Sequence, residues 1–174
     1  MFRIFLGLFL VSVLTANCQS PAPEPVEAPA VTAPMTVFLV RHAEKEAGDD
    51  PVLTAEGMAR AEALAQLLDQ VELDAIFSTD YRRTQLTAAP TAKAKSLEVQ
   101  SYNPRELPAF AEQLKAEYAG KTILVVGHSN TTPTLTGLID GTEAHAPFDE
   151  SDYRNLMVVT VPTEGPARTF RLRF

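Results

Sequence analysis

Apolar residues along this chain fall into two kinds of run. Three are short and uninterrupted: residues 36–40 (TVFLV), 75–78 (AIFS) and 122–126 (TILVV). Such β-branched stretches, with no polar alternation, predict strands covered on both faces. Elsewhere the apolar positions recur at intervals of three and four. Met58, Ala61, Leu64, Ala65 and Leu68, behind a Thr54 cap, predict one amphipathic helix. Leu107, Phe110, Leu114 and Tyr118 predict another, ending at Gly120. A helix is expected from about 81 to 95, with Pro90 at its middle. Thr132 and Pro133 offer a cap and a first-turn proline for one more, through about Ile139. Residues 98–102 form a weaker strand, and 156–161 and 169–174 read as closing strands. Strands and helices alternate. The expected fold is α/β: a three-layer sandwich with a mainly parallel central sheet, helices on both faces, and functional residues at the carboxyl ends of the strands.

The first 34 residues break this rhythm. Arg3 precedes an apolar run, residues 4–14, and then the small or polar Thr15, Ala16 and Asn17. The run is 11 residues long, short of the ~20 needed to span a bilayer as a helix, so residues 1–18 read as an export signal. The only cysteine, Cys18, stands where a bacterial lipoprotein signal places its lipidated residue, and Leu14-Thr15-Ala16-Asn17-Cys18 resembles a lipobox. Residues 19–34 hold five of the 13 prolines and almost nothing that packs, which reads as a tether. The expected layout is leader, tether and one domain over 35–174. The expected address is the cell envelope, either periplasmic or held at a membrane by lipid on Cys18.

Composition narrows the function. With 45% apolar and 21% charged residues the chain is ordinary globular protein. Its 15 Lys+Arg against 22 Asp+Glu, net −7, make nucleic acid an unsuitable partner, because a polyanion needs a basic face. A few converging arginines can still build a positive pocket for a small phosphorylated ligand. No metal site is read: the domain has no cysteine and no close His/carboxylate ligand spacing. No cofactor is expected.

His42 and His128 directly follow the first and last of the three strong strands, so a parallel sheet brings them to one edge. The residues around them carry a resemblance. Val40-Arg41-His42-Ala43-Glu44-Lys45 resembles the Arg-His-Gly/Ala signature of the histidine phosphatase (phosphoglycerate mutase-like) superfamily, and Leu53-Thr54-x-x-Gly57 its following helix start. Ser78-Thr79-Asp80-Tyr81-Arg82-Arg83-Thr84-x-x-Thr87-Ala88 is similar to the second motif and Val126-Gly127-His128-Ser129-Asn130 to the third. The four stand in order over about 35–160. The small domain is most similar to the phosphohistidine phosphatase-like members.

The resemblance implies a phosphatase acting on a phosphorylated small molecule or phosphoprotein through a phosphohistidine on His42. Arg41, Arg83 and His128 would contact the phosphoryl group. Arg83, five residues after Ser78, is the arginine selected by the motif; Arg82 reads as a surface residue. A leaving alkoxide needs a proton, and Glu106 matches the place of the family's acid, with Glu44 its rival. Glu44, Lys45, Ser129 and Asn130 are candidate substrate contacts. His145, in a polar stretch, reads as exposed. From another class, the alternative is an envelope-tethered module that binds a phosphate ligand with little or no turnover.

Overall fold

The structure, a computed structural model, describes residues 33–143 and 145–174. The leader, Cys18 and most of the proline-rich segment lie outside the described residues. Ten elements follow in order: β1 (Met35–Arg41), α1 (Ala55–Leu67), β2 (Ala75–Ser78), α2 (Arg82–Lys95), β3 (Val99–Ser101), α3 (Leu107–Glu117), β4 (Thr122–Gly127), α4 (Thr131–Asp140), β5 (Asn155–Val161) and β6 (Arg168–Arg173). The strands form one sheet in the order β3-β2-β4-β1-β5-β6. β3, β2, β4 and β1 are mutually parallel, and β5 runs antiparallel to both β1 and β6.

The unbroken apolar runs are explained by cover on both faces. On one face Val37 and Leu39 of β1, Ile123 and Val125 of β4 and Phe77 of β2 pack with Phe110, Leu114, Leu135 and Ile139 of α3 and α4. On the other face Val40, Leu124, Val126 and Ile76 meet Leu64 and Leu68 near α1 and Ala88 and Ala92 of α2. Successive strand residues thus alternate between two dry layers, and no strand of the sheet centre needs a polar side.

Several local expectations are adjusted. Met58, placed on the core face of α1 by its spacing, is 41% exposed; the buried positions of that helix are Gly57, Ala61, Leu64 and Ala65. Gly57 has the closer contact. A Cβ there would lie 2.1 Å from the Glu44 carbonyl oxygen, so the first turn of α1 is pressed against the segment that follows β1. α2 runs through Pro90, whose ring withholds one amide donor from the helix. Thr84, Thr87, Ala88, Thr91 and Ala92, buried along α2, hold it against the sheet. α4 begins two residues earlier than its proline suggested. Asn130, not Thr132, caps it, accepting from the Thr131 amide at 2.9 Å.

Candidate active site

Register brings the signature residues together. Arg41 pairs with Gly127, and Val126 lies beside both Val40 and Ser78, so β1, β4 and β2 all end at one edge of the sheet. The amide of His42 donates to the Gly127 carbonyl at 2.9 Å, fixing the two strand ends to each other. A Cβ on Gly127 would meet the Tyr102 hydroxyl at 2.7 Å and the Thr132 hydroxyl at 2.9 Å, so only glycine lets the strand end sit this close.

His42 is buried, with its Nδ1 2.8 Å from the Ala43 carbonyl. That carbonyl can only accept, so Nδ1 carries the proton and Nε2 keeps a free lone pair. Burial is the largest cause of a pKa lowered to about 3, opposed by the Ala43 hydrogen bond and reinforced by Arg41, Arg83 and His128. His42 is therefore neutral at physiological pH. Ala43 is itself held: its amide donates to the Thr87 hydroxyl at 2.9 Å, and that hydroxyl donates to the Arg83 carbonyl at 2.8 Å. One threonine of α2 thus links the His42 loop to the second motif.

The rings of His42 and His128 meet edge to face, with centroids 5.7 Å apart. Burial, then Arg83 and Arg41, lower the His128 pKa to about 4, with Glu150 acting in the opposite sense. Arg83 Nη2 lies 3.4 Å from His128 Nδ1. A guanidinium only donates, so Nδ1 accepts and Nε2–H donates to the Thr79 hydroxyl at 3.0 Å. The Thr79 hydroxyl in turn donates to Thr84 Oγ1 at 2.9 Å, and the Thr84 proton goes to the Tyr81 carbonyl at 2.8 Å. Every proton in this chain has an acceptor, which fixes the imidazole plane.

The two arginines flank the histidines in similar settings. Arg41 stacks over Tyr153, its Cζ 4.2 Å from the ring centroid, and Arg83 stacks over Tyr81 at 4.4 Å. Arg41 Nη1 donates to the Asp149 and Glu150 carbonyls at 3.1 and 2.9 Å, and Nη2 to the Glu150 carboxylate at 2.5 Å. Arg83 lies 3.7 Å from Asp50, which also accepts from the Arg82 amide. The Nε groups of both Arg41 and Arg83 are buried without a partner among the described residues. A buried guanidinium donor left unpaired is costly, and two beside one neutral imidazole make a place for anionic oxygens. Arg82 is exposed, as its motif position implied.

The carboxylates fall differently from the basic residues. Glu44 is half-buried and gripped by Arg60 through contacts of 2.6 to 2.9 Å. Burial would raise its pKa, but the hydrogen bonds from Arg60 outweigh that and hold the carboxyl below its usual range. Glu106 stands exposed before α3, in a groove with Gln100, Ser101 and Gln113, and has no hydrogen bond or ion pair to the histidines. Lys45 is exposed on a bridge to Leu53. Ser129 is buried, and its hydroxyl donates to the Glu150 carboxylate; Asn130 is spent on capping α4. His145 lies apart, half-buried and 2.9 Å from Asp140.

Sequence reasoning missed Thr79, Thr84 and Thr87 as positioning groups, although all lie inside the second motif. It also missed Glu150 and Tyr153. Their only signal was a polar, aromatic-containing segment between α4 and β5, which nothing in sequence directs toward Arg41.

The comparisons agree with this geometry. A family model described as "Histidine phosphatase superfamily (branch 1)" matches residues 37–103. Over those residues, which carry the first two motifs, the chain is similar to that superfamily. Among curated relatives, it is similar to phosphoserine phosphatase 1 of Hydrogenobacter thermophilus, 44% identical over 71 residues. That alignment covers 36% of this chain and only 34% of the relative. Among solved structures it resembles the protein histidine phosphatase SixA complexed with tungstate at a TM-score of 0.63 and 19% identity, covering 80% of this chain and 97% of the other. It also resembles the α-ribazole phosphatase from Shigella flexneri at a TM-score of 0.64 and 20% identity, covering 80% and 96%. At such identities the structural likeness shows the fold. The histidine phosphatase fold is present here at nearly the whole length of these compact relatives.

Proposed function

We propose that the protein is a metal-independent phosphatase that hydrolyses phosphomonoesters or phosphoramidates through a phosphohistidine on His42. One observation carries the reading: a buried neutral imidazole with a free Nε2 lies beside two arginines whose Nε–H donors have no partner among the described residues. In the first step Nε2 attacks phosphorus and the bond to the leaving oxygen or nitrogen breaks. Arg41 and Arg83 are placed to meet the charge on the phosphoryl oxygens, and His128, its Nε2–H held by Thr79 and its Nδ1 accepting from Arg83, orients that guanidinium. The Ala43 carbonyl, holding Nδ1–H, supports the positive charge that develops on the ring. Water then displaces His42 from phosphorus, returning the neutral imidazole.

A good leaving group needs no strong acid, so an activated aryl phosphate is the suitable first substrate. Release of phosphate by residues 35–174 in the presence of chelator, lost in His42→Ala, is the expected result. Tight phosphate binding without turnover by the intact protein would instead favour the binding module. That second reading has its own support, since neither Glu44 nor Glu106 is hydrogen bonded to a site histidine.

We also infer, from residues 1–34, an exported protein held at the envelope by lipid on Cys18. Membrane fractionation of the full chain beside Cys18→Ala tests it; equal release of both into the soluble fraction would refute the anchor.

A further inference from the structure

Arg41 is buried, yet the carboxylate on its Nη2 belongs to a residue whose side chain is 77% exposed. Glu150 therefore stands at the rim, with its head on a phosphate-site arginine. Its other oxygen accepts from Ser129, the residue following His128. The unpartnered Nε–H of Arg41 remains free of it. A phosphoryl oxygen can take Nε–H while Glu150 keeps or yields Nη2, and in either case a negative charge stays beside the bound phosphoryl group. The neighbouring groups add to this bias. Asp50 holds the corresponding place near Arg83, and Asp149 and Asp152 lie on the Glu150 loop. Three positive groups on that side are engaged, Arg154 and Arg173 with Asp152 and Arg60 with Glu44, while Lys45 and Arg82 stand exposed to solvent. Arg105 stands at the other side, in a groove with Asp80 and Tyr81. The two tyrosines, one beside each arginine, add π-faces that favour a cation over an anion.

A carboxylate in this position is unsuited to the rest of a polyanionic substrate. Once the phosphoryl charge has satisfied the arginines, a second anion would face Glu150 and Asp50 at short range, whereas an ammonium would pair with them. We propose that Glu150 is a specificity-determining residue that selects phosphorylated substrates carrying a cationic, ammonium-type group within a few bonds of the phosphorus. This rests on the phosphatase reading of the same pocket and names its substrate class.

Three compounds of similar size separate the idea from simple phosphate binding: 2-aminoethyl phosphate, 2-hydroxyethyl phosphate and phosphoglycolate. For wild type, kcat/KM should fall in that order, by about three- to tenfold per step, mainly through KM, with the spread narrowing at high salt. Glu150→Gln should bring the amine and hydroxyl compounds within about twofold, and Glu150→Lys should reverse the order in favour of phosphoglycolate. Both variants take an acceptor from buried Arg41, so a lower Tm is expected, more for Glu150→Lys than for Glu150→Gln, and the comparisons are made below each variant's own Tm. Equilibrium binding of the same compounds in a His42→Ala background gives a readout independent of turnover. If an activated aryl phosphate is hydrolysed but the three compounds rank identically in wild type and Glu150→Lys, the selectivity proposal fails and the phosphatase reading stands. If no aryl phosphate is turned over, the phosphatase reading fails, and an unchanged binding order in Glu150→Lys would sink the selectivity as well.

Discussion

The ends of β1 and β4 and the loop between α4 and β5 both supply residues to one pocket, but they do so by different physics. His42 and His128 are carried on backbone whose position is set by ladder register and by two dry layers of side chains. Glu150 and Tyr153 ride on an exposed segment attached by a few polar contacts, chiefly from Arg41 to the Asp149 and Glu150 carbonyls and from the Phe148 amide to Ser129. Phe148, buried in the core, pins one end of that segment. The strand ends can therefore hold reacting groups in fixed geometry, while the loop can change sequence, and with it substrate preference, at little cost to the fold. On the proposed function, chemistry and selectivity would be divided between a rigid region and an adaptable one.

The division can be broken most strongly at His42, the proposed nucleophile. His42→Ala should lower aryl phosphate turnover by at least ~10⁴-fold while leaving the protein folded by circular dichroism. Next come the arginines. Arg41→Ala and Arg83→Ala should each reduce kcat/KM by about 10²- to 10³-fold. Only Arg41→Ala should also speed hydrogen exchange across residues 146–153, since of the two arginines Arg41 alone is hydrogen bonded to that loop. Equal exchange in the two variants would show that the loop is fixed by something else. A smaller loss is expected from Thr87→Val, which leaves the Ala43 amide without its acceptor: ~1–2 kcal/mol of stability by denaturant titration and about a tenfold drop in kcat.

The mildest effect is on pH dependence. His42 and His128 have folded-state pKa values of about 3 and about 4, against about 6.5 in an unfolded chain. Between those limits the unfolded state binds more protons, so the stability these two groups confer is complete above about pH 6.5 and is lost as pH falls toward 3. Tm should therefore decline over that window, and less steeply in His42→Asn. Activity should show no acid limb near 6.5 arising from His42.

Much of this was legible in sequence because the strand signals were strong. TVFLV and TILVV could only be strands covered on both faces, and the histidines at their ends followed from parallel pairing. Arg83 was separable from Arg82 by motif spacing, and the structure leaves the first half-buried beside His128 and the second exposed. The Thr54 cap was also legible, its side chain accepting from Gly57. Met58 was misplaced because spacing of three and four cannot tell the edge of an apolar stripe from its centre. Glu150 was illegible for a different reason: its contact with Arg41 spans 109 residues and depends on the path of a loop with no periodic pattern. The hydroxyl chain from His128 through Thr79 to Thr84 likewise needs three dimensions, since threonines in a helix-start motif look like ordinary capping residues.

The most direct test is to trap the covalent intermediate. Rapid acid-free quenching of the protein with an aryl phosphate, followed by peptide mass spectrometry, should find an acid-labile, base-stable phosphoryl group on His42, absent from His42→Ala and enriched in variants that slow the second step. Turnover with phosphate on another residue, or with none on His42 at any quench time, would contradict the account.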